Sequence, residues 1–216
     1  MSNECPTKEQ LEQMMSLGAA TLFHGQGEVG AVDAAVKPIA AGMKLAGPAL
    51  TVDVPAGDNL ALHLALRAAE AGAVLVVDYK AHMSVAVTGD IMALAAKTRG
   101  IAGMAIDGAV RDVDEIAAME FPVFARGVSI RGPTKDAAGS VGEPINFGGV
   151  RVASGDIIVG DTDGLVVIAK ERWRETLQAA LDREEMESAM RTQLLDGKTT
   201  IELLALEEAL ARHGMD

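Results

Sequence analysis

The pattern of apolar and polar positions divides the chain into an α/β portion, a β-rich portion and a helical tail. Thr7-Lys8-Glu9-Gln10 has the form of a capping box, and Leu11, Met14 and Met15 follow at helical spacing. That predicts a first helix from about residue 8 to Gly25. Ala46 to Val54 is an apolar, β-branched run ended by Pro55, which predicts a strand. Asp58 is placed to cap a helix over 59–71, and Ala73 to Val77 reads as a short buried strand. After a strand-like Val85–Val87, two further strand–helix cycles follow. Their helices are predicted near 90–98 and 112–119, their strands at 101–106 and 122–125. This alternation implies α/β construction around a partly parallel sheet.

After Arg126 the texture changes. Residues 127–164 are rich in Gly, Pro and Asp, with short β runs at 150–153, 157–159 and 165–169. A β-rich half closing on the α/β half predicts mixed sheets rather than a regular doubly wound one. From Glu171 onward the chain reads as helix and is strongly polar, with a later amphipathic stretch carrying Ile201, Leu203, Leu204, Leu206 and Leu210. A polar helix leaving a compact body needs a second surface to pack on, which predicts an oligomer.

Composition narrows the partners. The 216 residues carry 31 acidic against 19 basic side chains, a formal charge of −12, and aromatics make up 3%. Phosphate backbones demand clustered Lys and Arg, and single-stranded bases demand stacking platforms, so nucleic acid is not an expected direct partner. The single cysteine, Cys5, cannot form an internal disulfide and suits a reducing compartment. Met1 to Gln10 is too polar for a signal peptide, and no run of about 18 apolar residues offers a membrane span. A cytoplasmic location is the expectation.

Three motifs bear on chemistry. Gly25-Gln26-Gly27-Glu28-Val29-Gly30 spells G-x-G-x-x-G, but a helix rather than a strand precedes it and Pro38 soon follows, so it reads as a turn. The four histidines, His24, His63, His82 and His213, form no pair at metal-ligand spacing, and His63 within the apolar 60–66 stretch reads as structural. No serine stands in an elbow motif. The segment from Gly89 to Glu115 says more. Gly89-Asp90 and Arg111-Asp112 each open a helix after a strand, at the sheet end where α/β proteins bind ligands. Free N–H groups there suit a carboxylate, an acid can hold a hard cation, and an arginine can meet a developing oxyanion. The alternative is that Asp90 and Asp112 are plain helix caps, since Asp112-Val113-Asp114-Glu115 also has a capping form.

The spacing Asp90, twenty residues, Arg111-Asp112, two residues, Glu115 gives D-x20-R-D-x2-E. With Ala46–Val52, Pro55–Leu60, Asp107–Asp112 and Gly160–Gly164 it resembles the RraA-like family over roughly residues 10–170. That family includes class II pyruvate aldolases acting on 4-hydroxy-4-methyl-2-oxoglutarate and 4-carboxy-4-hydroxy-2-oxoadipate, and the regulator of ribonuclease activity A. The resemblance implies a swivelling β/β/α-type mixed-sheet catalytic domain over 1–170. It implies a helical extension over 171–216 that packs on a neighbouring subunit, in a homotrimer or hexamer.

It further implies that Asp112 binds Mg²⁺ or Mn²⁺, with Glu115 supporting the ion through water. Arg111 would contact the 2-oxo oxygen. Backbone amides of Gly89, Asp90, Ile91 and Met92 would hold the substrate carboxylate, and Asp90 would lie in the proton-transfer path. Glu187 or Glu184 of a neighbouring subunit would approach the site. The implied activity is aldolase cleavage of a 2-oxo acid to pyruvate, with oxaloacetate decarboxylation as a companion; the other implied role is binding ribonuclease E. Tyr79-Lys80-Ala81-His82-Met83 departs from the aldolase pattern, and no motif supports the methyltransferase label that some of the family have carried.

Overall fold

The computed structural model describes residues 5–215. Four parallel strands form its centre: β2 (Leu45–Asp53), β3 (Val74–Ala86), β4 (Gly103–Val110) and β5 (Val123–Val128). β4 is buried at all eight positions and β3 at its first six. Continuous burial follows from covering a parallel sheet on both faces, and it explains why these strands read as unbroken apolar runs. The crossovers are helices α3 (Leu60–Ala68), α4 (Asp90–Thr98) and α5 (Val113–Ala118).

The β-rich half completes the sheet. β9 (Ile157–Asp161) pairs antiparallel with the first residues of β2, and β10 (Gly164–Ile168) pairs with β9. β1 (Lys37–Pro38) lies antiparallel to β5 at the opposite edge, while Ala31, six residues earlier, bridges Val166 of β10. The segment from Ala31 to Pro38 therefore spans both edges and nearly closes the sheet into a barrel, which leaves little edge open to other chains. β6 (Ser140–Val141) pairs with the end of β2, and β7 (Ile145–Phe147) with β8 (Val150–Val152) as a separate hairpin. One core fills the interior around Leu75, Ile106, Phe124 and Phe147. A second, with Met14, Leu22, Trp173 and Leu177, seats the terminal helices on β9 and β10.

Several boundaries differ from the sequence expectation for identifiable reasons. The first helix is two, α1 (Lys8–Leu17) and α2 (Ala19–Gly25), broken at Gly18 with φ of 85°. Asp161 drives the break by accepting from the Ala19 N–H at 2.8 Å. β3 runs on through the expected gap after Val77. It bulges where Lys80 and Ala81 both take left-handed backbone, with the Lys80 ammonium held between Asp53 at 2.7 Å and Asp78. α3 stops three residues early, at Ala68. The tail is α6 (Trp173–Leu195) followed by α7 (Thr200–Leu204) and α8 (Glu207–Arg212). Only the first two turns of α6 bury side chains. Among the described residues no helix is long and apolar enough to cross a membrane.

The first and last glycines of G-x-G-x-x-G are packing devices. A Cβ on Gly25 would press on the α6 backbone, 3.0 Å from Ala180 N and Thr176 O. Gly30 has φ of 80°, and a Cβ there would collide with the Val167 carbonyl. Gly30→Ala should therefore destabilise the fold by about 2–4 kcal/mol, combining left-handed strain with overpacking. Urea denaturation measures it; a loss below about 1 kcal/mol would contradict this packing.

Candidate active site

The loops leaving the four parallel strands converge at one end of the sheet. They bring Asn59 after β2, Gly89 and Asp90 after β3, Arg111 and Asp112 after β4, and Lys135 after β5. Ligands bind at this end in such sheets because helix N-termini open there with unpaired N–H groups.

Arg111 sits in a slot cut by two glycines. A Cβ on Gly89 would lie 3.1 Å from Arg111 Cγ and Nε and would collide with Asp112 Oδ2; one on Gly132 would lie 3.0 Å from Nη1. The Arg111 N–H donates to the Thr88 carbonyl at 3.1 Å, which ties the two loops. Asp112 stands at the N-cap position of α5 but makes no capping bond to that helix. Its backbone is left-handed, φ 55° and ψ 46°, and its Oδ2 turns back to meet the Asp90 N–H at 3.3 Å and Arg111 Nε at 3.2 Å. The plain cap reading thus fails for Asp112. A cap contributes roughly 1 kcal/mol and a left-handed non-glycine residue costs roughly 1–2 kcal/mol, so the conformation forgoes one and bears the other. Strain of that kind, held in place by its surroundings, is characteristic of working sites.

A cavity of about 170 Å³ is lined by Asn59, His63, the stretch from Val87 to Met92, Arg111, Pro133 and Lys135. Two cations face it against one acid, Asp90, in a chain of net charge −12. The amide of Asp90 is taken by Asp112, which leaves those of Ile91 and Met92 as free donors of the first turn of α4. Asn59 Oδ1 and Thr88 Oγ1 are buried beside the cavity without hydrogen-bond partners. Arg111 is shared with an adjoining cavity of about 530 Å³ that contains Asp112, Val128 and Ile130.

Asp58 organises the opposite wall. Its buried carboxylate accepts from the Leu60 N–H at 2.8 Å, the Thr134 hydroxyl at 2.7 Å, the Asp136 N–H at 2.6 Å and the Ala137 N–H at 3.1 Å. The loop carrying Lys135 is thereby clamped to the turn carrying Asn59. Burial pushes the Asp58 carboxyl up, but these four donors outweigh it and hold the group well below the usual carboxylate range. Tyr79, at the start of the β3 bulge, adds a second brace by accepting the Gly57 N–H at 2.9 Å.

Glu115 is exposed on α5 and lines neither cavity. Glu184 and Glu187 lie on α6 away from both. Glu184 pairs with Arg191 at 2.8 Å, and Glu187 with Arg183 at 2.8 Å. Asn59 and Lys135 line the cavity without having been singled out in the sequence. Asn59 stood in a quoted motif, whereas Lys135 lies in a loop with no periodicity to mark it. His63 is a correction: it is exposed on the outer face of α3 and lines the cavity, because only Ala61, Leu62, Ala65 and Leu66 turn inward.

The donor set decides what metal would fit. Among the described residues no group of three His, Cys, Asp or Glu is arranged to hold an ion. Asp112 offers a carboxylate whose Oδ1 makes no hydrogen bond to these residues. One carboxylate beside an open cavity fits a hydrated hard cation, which keeps several waters and takes further oxygens from substrate.

Residues 17–167 match the family model described as RraA-like, Aldolase/RraA. The chain belongs to the RraA-like family. A Halalkalibacterium halodurans protein, provisionally named 4-hydroxy-4-methyl-2-oxoglutarate aldolase, is 40% identical over 166 residues, covering 77% of this chain and 79% of its own. A solved protein of unassigned function from Pseudomonas syringae superposes with a TM-score of 0.80 at 25% identity, over 91% of this chain and 96% of that one. The RNA-processing inhibitor RraA from Thermus thermophilis gives 0.64 at 28% identity, over 69% and 91%. The RraA-like fold explains the mixed sheet and the near closure of its barrel.

Two substitutions test this geometry. Asp58→Asn should lower stability by about 2–4 kcal/mol near neutral pH, because it unbalances several buried hydrogen bonds. A depressed carboxyl stabilises the fold fully above its unfolded value near 4 and progressively less as pH falls. The gap between Asp58→Asn and wild type should therefore narrow in acid; a gap that widens there would refute the clamp. Gly89→Ala should fold, since its φ of −150° suits any residue, yet lose at least about tenfold in ligand affinity by displacing Asp112. Unchanged affinity would show that the slot tolerates a methyl group.

Proposed function

We propose that the chain is a divalent-metal-dependent pyruvate aldolase. It would cleave 4-hydroxy-4-methyl-2-oxoglutarate or 4-carboxy-4-hydroxy-2-oxoadipate to pyruvate and a second 2-oxo acid, and would decarboxylate oxaloacetate. The observation that carries this reading is Asp112, turned away from its own helix and held beside Arg111 and the amide end of α4. The aldolase name of the Halalkalibacterium relative supports it.

In this mechanism the Ile91 and Met92 amides and the helix end hold the C1 carboxylate. Arg111 donates to the C2 oxygen, and its charge is worth most as that oxygen becomes an enolate. Asp90, on the same cavity wall, takes the C4 hydroxyl proton as C3–C4 breaks, and returns it to C3 of the enolate. Asp112 would hold Mg²⁺ or Mn²⁺, with Glu115 reaching it through water; when bound, the ion withdraws electrons from the 2-oxo group. Oxaloacetate needs no hydroxyl proton removed, because CO₂ leaves by itself; the enolate then takes its C3 proton from solvent, and the same residues bind and stabilise it.

The exposed end of α6 supports an assembly of several chains. Beyond Ala180 it exposes Met186 and Leu195, the latter 90% exposed, with nothing among the described residues to cover them. A trimer or hexamer would cover them and bring Glu184 or Glu187 to a neighbour's site.

Pyruvate release, coupled to lactate dehydrogenase, tests the proposal. EDTA should abolish it and Mg²⁺ or Mn²⁺ restore it, and Arg111→Ala should lower turnover ~10²–10³-fold with the fold intact. Activity indifferent to EDTA would overturn the metal role. Firm binding of ribonuclease E with no lyase turnover would favour the regulator reading, which the likeness to the RNA-processing inhibitor from Thermus supports.

A further inference from the structure

The residues above account for the reacting end of a substrate. Helix α3 offers more. With Ala61, Leu62, Ala65 and Leu66 buried, it turns Leu60, His63, Leu64 and Arg67 outward, one and two turns apart on a single face. His63 lines the reacting cavity and also a second one of about 470 Å³, which lies between this face and Ala138–Gly139. Among the described residues lining that second cavity, Arg67 carries the one permanent charge. The wall opposite α3 is close: a Cβ on Gly139 would come within 2.8 Å of Ala61 Cβ.

Neither His63 nor Arg67 pairs with a carboxylate among the described residues, although acids outnumber bases by 31 to 19 in the chain. In so acidic a protein, basic side chains gathered along one groove without acidic partners are placed for an anion from outside. The Arg99 guanidinium stands close by, donating to the Arg67 carbonyl at 3.0 Å, and adds to the positive field.

We propose that the groove along α3 is the specificity subsite for the far end of the substrate. His63 stands at its mouth and Arg67 anchors a carboxylate carried beyond C4. The proposal rests on the preceding reading for which end reacts. Within the reacting cavity the amides and Arg111 are committed to the C1 carboxylate and C2 oxygen, which leaves Lys135 as the remaining cation there, so a carboxylate carried past that cavity along α3 needs donors of its own. Arg67 presents a planar fork suited to two carboxylate oxygens, and His63 has an N–H to donate in either protonation state. About 6 Å, one helical turn, separates their positions, so an extended chain passing His63 reaches Arg67 directly. Leu60 and Leu64 on the same face would cover its methylene carbons.

Isothermal titration of the full chain in Mg²⁺ buffer, with pyruvate and with 2-oxoadipate, tests this in wild type, His63→Ala, Arg67→Ala and Arg67→Lys. Arg67→Ala and His63→Ala should each weaken 2-oxoadipate roughly tenfold and leave pyruvate within twofold, with Arg67→Lys between Arg67→Ala and wild type. Where turnover is measurable, the loss should fall on KM for the extended substrate and not on kcat. Equal effects on both ligands, no effect on either, or no 2-oxoadipate binding by wild type would overturn the subsite. So would dissociation of the assembly by Arg67→Ala in light scattering, which would make the groove a subunit contact. Selective binding without any lyase turnover would sink the aldolase reading and leave the subsite standing.

Discussion

The site depends on one contact, the return of the Asp112 carboxylate across Gly89 to the Asp90 N–H. It fastens the end of β4 to the start of α4, so two loops from neighbouring strands act as one rigid piece. The polar groups on that wall of the cavity are set by that fastening. Arg111 is aimed by lying between Gly89 and Gly132, Asp90 is aimed as the first residue of α4, and the remaining amides of that turn stay free. The contact is possible because aspartate tolerates left-handed backbone better than most residues and because position 89 has no side chain.

A second fastening holds the other wall. The Asp58 carboxylate gathers donors from both sides of the 134–137 loop and from α3, so Asn59 and Lys135 are set by a group that itself lines neither neighbouring cavity. Tyr79 extends that bracing to the bulge in β3, which gives the unusual Tyr79–Met83 segment a structural role behind the Gly57–Asn59 turn. The cavity is thus a gap between two clamped walls, and its lining of two cations to one acid contrasts with the chain's net charge of −12. Such focusing of charge in a cleft raises the local concentration of anionic substrates.

Much of this was legible in the sequence where local physics dominates. The helix at Asp90–Thr98, the buried strands and the Arg111-Asp112 helix opening all follow from periodicity and from residues that start or stop elements. What escaped depends on contacts between distant residues. Gly18 breaks a helix because Asp161, 142 positions beyond Ala19, caps the second piece. Lys135 lies in an aperiodic loop that acquires its place from Asp58, 77 residues earlier by number. His63 escapes sequence reading because an apolar helical run suggests burial on every face, whereas α3 buries only one. Asp112 has a capping residue's spacing, and only its backbone angles show that it caps nothing.

The central claim is that Asp112 is turned into the site to hold a divalent ion. Titration of Mn²⁺ followed by the loss of its aqueous paramagnetic resonance signal reads this without any substrate or turnover. Asp112→Asn keeps the size of the side chain and an oxygen for the Asp90 N–H while removing the charge that a hard cation requires. Wild type should bind one Mn²⁺ per chain, and Asp112→Asn should bind it at least about tenfold more weakly. Equal Mn²⁺ affinity in the two proteins, with both folded, would contradict the account.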